Sequence, residues 1–78
     1  MNEWARAERM ANMYKEMYPK GTRIELISME DPFAPIESGT QGTVEFVDGI
    51  GQIHMRWDNG RTLALIPGED SFKIIKEV

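Results

Sequence analysis

Arg56, Trp57 and Arg61 are the residues of this 78-residue chain best suited to chemistry, because two guanidinium groups and an indole lie around the single turn Asp58-Asn59-Gly60. A guanidinium pair can take a phosphate in bidentate fashion, and an indole face can stack on a nucleobase. These three are therefore the candidate contacts to a small anionic, nucleotide-type ligand. In the competing arrangement, Arg61 stacks on Trp57 while Arg56 pairs with an outward carboxylate such as Glu45.

The remaining reactive groups do not assemble into a reaction. His54 is the sole histidine, and its neighbours Ile53 and Met55 place it on the outward side of a strand. A general base or metal ligand needs partners, and there is no second histidine and no cysteine. The absence of cysteine excludes disulfides, thiolate chemistry, iron–sulfur clusters and the common zinc frameworks. Glu69 and Asp70 are adjacent in a turn, whereas paired acid–base catalysis needs carboxylates opposed across a cleft. Gly49-x-Gly51 and Gly39-x-x-Gly42 have the look of phosphate loops, but no helix follows either, so hairpin turns explain them. No catalytic residue, metal ligand or cofactor is expected, and the chain reads as a binder and not an enzyme.

The elements that must carry these residues are mostly short strands. Arg23 to Ser28 alternates Ile24 and Leu26 inward; Val44 and Phe46 alternate with Glu45; Gln52 to Trp57 follows the Asp48-Gly49 turn; Leu63 and Leu65 return; Phe72 and Ile74 end the series. At Asp58-Asn59-Gly60 a three-residue loop with a left-handed Gly60 pairs Ile53 with Leu65 and Met55 with Leu63, gathering the large apolar groups on one face. Pro67-Gly68-Glu69-Asp70 reads as a further turn. The segment Met29 to Ser38, held extended by Pro32 and Pro35, is a long loop over the barrel, and its Phe33 and Ile36 are candidate protein contacts. Residues 3 to about 18 have helical periodicity, with Trp4, Ala7, Ala11, Tyr14 and Tyr18 on one stripe and Met10, Met13 and Met17 on another. Pro19 and Gly21 stop the helix. The Trp/Tyr stripe suits docking, and the flexible Met stripe is a candidate surface for a partner or a second copy. The expected fold is mainly β: a small five-stranded SH3-like barrel over residues 21–78, with an amphipathic helix in residues 1–20 that packs on the barrel or on another subunit.

Charge narrows the partners. Residues 1–20 carry four bases against three acids, so a total of −4 leaves −5 on the barrel. Such a barrel is poorly suited to a phosphate backbone, and nucleic acid is not the expected partner. A domain of this size buries only roughly 60% of its unfolded surface, so self-association would help it. The start MNEWARAERM has charges where a signal peptide needs an apolar run, and no segment approaches the ~20 apolar residues of a membrane span. A cytoplasmic location without membrane contact is expected.

From Tyr18 to about Ile75 the chain resembles a small domain-of-unknown-function family of phages and integrative elements of Gram-positive bacteria. The resemblance rests on Tyr18-Pro19-x-Gly21-Thr22-Arg23, on Gly39-Thr40-x-Gly42-Thr43-Val44, and on Trp57-Asp58-Asn59-Gly60-Arg61 followed by Leu63. It implies an SH3-like barrel and a mobile-element origin, and assigns no residue a role. For a phage-like gene of this size the expectation is a stoichiometric binder that interferes with a host process, including antiviral defence, by sequestering a nucleotide-type ligand. The alternative is an inhibitor or interaction module that binds a host protein through the Phe33/Ile36 loop or the Met10/Met13/Met17 face.

Overall fold

The computed structural model describes residues 3–33 and 35–75. Helix α1 spans Glu3–Met17, and Tyr18 N still donates to Tyr14 O at 2.8 Å. Proline then ends the ladder, and a turn with Gly21 at φ +94° closes as the Thr22 hydroxyl donates to the Pro19 carbonyl at 2.6 Å. Four antiparallel strands follow: β1 (Arg23–Ser28), β2 (Gln41–Val47), β3 (Ile53–Trp57) and β4 (Ser71–Ile74), arranged β3-β2-β1-β4. The chain is mainly β with one N-terminal helix, but among the described residues the expected five-stranded closed barrel is an open sheet of four.

The reduction has a local cause. Residues 61–66 do return along β3: Trp57 N donates to Arg61 O at 2.8 Å, and Ile53 and Leu65 exchange two bonds of 2.9 and 2.8 Å. Gly60 has φ +90°, so the register is that of the glycine-bulge turn. Between these contacts no backbone bond joins Met55 and Leu63, and the Leu63 carbonyl accepts from the Trp57 indole N–H at 2.8 Å. One rung lost from so short a segment leaves a bridge in place of a strand.

Among the described residues nine buried ones form the core, contributed by every strand except β4: Ile24 and Leu26, Val44 and Val47, Ile53, Met55 and Trp57, with Ile36 and Leu65 from the connections. Burying each of the larger ones contributes about 1.5–3 kcal/mol. Trp57 sits against Gly42, where an added Cβ would lie 2.8 Å from the indole Cε3, so the glycine makes room for the ring. Strand β2 departs from simple alternation. A bulge between Val44 and Phe46 turns Phe46 outward, 55% exposed, and Val47 takes the inward place expected for it. Phe72 and Ile74, also expected inward, are half-buried and exposed respectively; Phe72 packs against the core from its margin.

Helix α1 docks through Ala11, which is buried, and through Tyr14 and Tyr18, which pack on the core; Tyr18 meets the Phe72 ring edge-on at 5.6 Å. Gly51, at φ +89°, lies beneath it, where a Cβ would stand 3.3 Å from the Tyr14 ring. Trp4, expected in the docking stripe, is 76% exposed, and Met10, Met13 and Met17 are exposed on the helix. No described helix is long and apolar enough to cross a membrane.

Candidate functional site

The long connection from β1 to β2 is built as a braced arch. At its base, Gly39 N donates to Leu26 O at 2.7 Å and Leu26 N to Thr40 O at 2.9 Å. Ile36 is 3% exposed and belongs to the core, so it anchors the loop from inside and offers no surface to a partner, correcting its expected role. Farther out, Asp70 uses both carboxylate oxygens as a clamp: Oδ1 accepts from Glu30 N at 3.0 Å and Oδ2 from Ile66 N at 2.8 Å. Arg61 Nη1 donates to the Pro35 carbonyl at 3.1 Å. Within the arch, the Asp31 carboxylate accepts from Phe33 N at 2.9 Å, an Asx turn across Pro32. These bonds leave Phe33 92% exposed on a tethered loop. Beside it, between the loop and residues 63–70, is a hollow of about 240 Å³ whose apolar lining includes Met29, Leu63 and Ile66. Its polar lining is acidic.

The three candidate ligand contacts do not converge. Trp57 is 1% exposed, so it has no face for a stacked base; its burial in the core corrects that expectation. Arg56 is exposed and pairs with the bulged Glu45 at 2.9 Å, as the competing arrangement required. It lines a hollow of about 280 Å³ together with Lys20, Gly21 and Thr43. Arg61 lines a different hollow, with His54 and Thr62, and its guanidinium is engaged with the long loop. The two arginines share no lining residue.

Two further polar clusters are structural in geometry. Asp48 accepts from Gln52 N at 2.9 Å and Ile50 N at 3.1 Å, and its Oδ2 lies 2.8 Å from His54 Nε2. Burial pushes its carboxyl up, but the hydrogen bonds from His54, Gln52 and Ile50 outweigh this and hold it below its ordinary value. The His54 ring is stacked on Phe46 at 4.2 Å. Arg23 reaches both oxygens of Asp58 at 2.8 and 2.7 Å and also Thr43 Oγ1 at 2.9 Å. The hydrogen bonds from Arg23 lower the Asp58 carboxyl below its ordinary value. Among the described residues no three acidic or histidine groups form a metal set.

Sequence reasoning placed Phe33 correctly as a loop aromatic but missed what holds it. Asp70 appeared only as a turn acid, and nothing local tells that its partners are 40 and 4 positions away. The Asp31-Pro32 pair was the one local signal of the Asx turn.

The chain is a mainly β unit, a four-stranded antiparallel sheet with one N-terminal helix. The chain belongs to the family described as a domain of unknown function (DUF4314), whose model matches residues 7–75. The segments Tyr18–Arg23, Gly39–Val44 and Trp57–Arg61, which carried the resemblance, meet in space through Arg23, Thr43 and Asp58. Among curated proteins none matches the chain.

Proposed function

We propose that this protein is a non-catalytic, stoichiometric binding module that engages a host protein through the Phe33 loop, in keeping with the phage or mobile-element origin the resemblance implies. One observation carries the reading: a phenylalanine 92% exposed on a loop tethered by Asp70, Arg61 and Ile36. An aromatic displayed on a preorganised loop loses little entropy on docking, which is the character of a binding anchor. The fold is taken as an SH3-like barrel whose fourth strand has shrunk to the Ile53–Leu65 bridge, with the long loop where such barrels carry one. Immobilised wild type and Phe33→Ser are compared by quantitative mass spectrometry of proteins retained from host lysate. Phe33→Ser keeps the wild-type melting temperature and loses the stoichiometric partner; equal retention by both overturns the reading. The exposed Met10/Met13/Met17 face serves self-association in this proposal, and changing the three to glutamine converts an oligomer to a monomer by light scattering.

A second reading, sequestration of a nucleotide-type anion in counter-defence, rests on Lys20 and Arg56 lining one hollow with Thr43. Glu45 partly neutralises it at 2.9 Å from Arg56. Titration calorimetry with cyclic and linear nucleotides tests it: binding heat lost in Arg56→Ala supports it, and no heat with any nucleotide removes it.

A further inference from the structure

We infer that the hollow beside Phe33 receives an arginine side chain of the partner protein. The inference rests on the Phe33-loop reading and specifies its partner chemistry. Three features converge. The hollow, about 240 Å³, has an apolar lining of Met29, Leu63 and Ile66, suited to the aliphatic stem of a long side chain. Its charged lining residues are all acidic, Glu30, Asp31, Glu69 and Asp70, with no lysine, arginine or histidine among them. Phe33 follows directly on the lining residue Pro32 and is 92% exposed.

The carboxylates divide by task. Asp70 and Asp31 accept backbone N–H groups and hold the loop. The side chains of Glu30 and Glu69 make no hydrogen bond or ion pair among the described residues, so they remain to receive a cation. A point-like metal ion does not fit this set, because no three of the described acidic groups come together as ligands. A planar guanidinium spreads its donors over several ångströms, so it does not need carboxylates gathered at metal-ligand distance, and it stacks on an aromatic face. The charge of the chain agrees in sign, since residues 21–78 carry −5 against +1 on the first twenty.

The test is an ¹⁵N NMR titration with the peptide acetyl-Leu-Arg-Leu-amide and with its citrulline counterpart, which has the same shape without the charge. The arginine peptide shifts the amides of Met29, Leu63 and Ile66, and the citrulline peptide does not. In Glu30→Gln/Glu69→Gln, whose changed side chains are surface groups, affinity falls roughly tenfold while the melting temperature stays at the wild-type value. Equal shifts with citrulline, no shift at millimolar arginine peptide, or unchanged affinity in the double variant each overturn the inference. Loss of partner capture in Phe33→Ser without arginine-peptide binding removes this inference alone. Arginine-peptide binding with partner capture indifferent to Phe33 removes the parent reading alone.

Discussion

Asp70 is the point at which the long loop can be released without disturbing the core. Its carboxylate accepts two backbone N–H groups, from Glu30 at 3.0 Å and Ile66 at 2.8 Å, and joins two segments that the sheet does not pair. In an exposed setting each bond is worth about 1 kcal/mol, so Asp70→Ala should cost about 2 kcal/mol of local stability, or roughly 30-fold in the opening equilibrium. Asp70→Asn keeps one carbonyl acceptor and loses the other, so about 1 kcal/mol, or roughly fivefold, is expected. Native-state hydrogen exchange reads both values at the Phe33 and Ile36 amides, whose acceptors Asp31 and Met29 are kept in the variants. Strand amides such as Leu26 and Val44 should exchange as in wild type, because their partners lie within the sheet and at the base of the loop. Unchanged protection at Phe33 and Ile36 in Asp70→Ala would show that the clamp does not hold the loop, and the argument for a preorganised Phe33 would go with it.

Gly42→Ala should lower stability by about 1–3 kcal/mol, since its Cβ would stand 2.8 Å from Trp57 Cε3 and 3.0 Å from the Arg56 carbonyl oxygen. For a domain of this size that is a fall of roughly 4–8 °C in melting temperature per kcal/mol, and a variant melting like wild type refutes the contact. Gly60→Val should destabilise by about 1–2 kcal/mol through backbone strain alone, because φ is +90° and nothing lies within 4 Å of a Cβ there; denaturant unfolding with no shift in midpoint would contradict this. Asp48 has a folded pKa below its unfolded one, so its contribution is present above the unfolded value and is lost as pH falls through the folded value, below about pH 4. Urea midpoints measured from pH 6 down to pH 2.5 should therefore decline less in Asp48→Asn than in wild type, and an equally steep decline would remove Asp48 from the account.

Much of the local structure was legible in the chain. Period-two alternation at Ile24/Leu26 and at Ile53/Met55, the helix stop at Pro19 and the left-handed Gly60 are properties of neighbouring residues, and they stand in the structure as read. The separation of His54 from its apolar neighbours follows from the same alternation. The candidate site was legible only in part: Phe33 could be placed on a loop, but its exposure depends on which of its loop companions the core takes.

Amino-acid order by itself determined the helix, the positions of four of the five expected strands, the turn at Gly60 and the acidic balance, because each follows from steric preference or charge within a few residues. Tertiary structure decided the rest. The bulge at Glu45 sent Phe46 outward, since pairing with β3 and not local pattern sets where a strand gains a residue. Trp57 went into the core because Gly42 from the neighbouring strand left space for its ring and Leu63 supplied a carbonyl for its N–H. Ile36 became an anchor and Arg61 a loop tie, the latter by reaching a carbonyl 26 positions away. Packing and hydrogen-bond satisfaction across such separations are settled only when the chain has closed on itself, and no local pattern in the residues announces them.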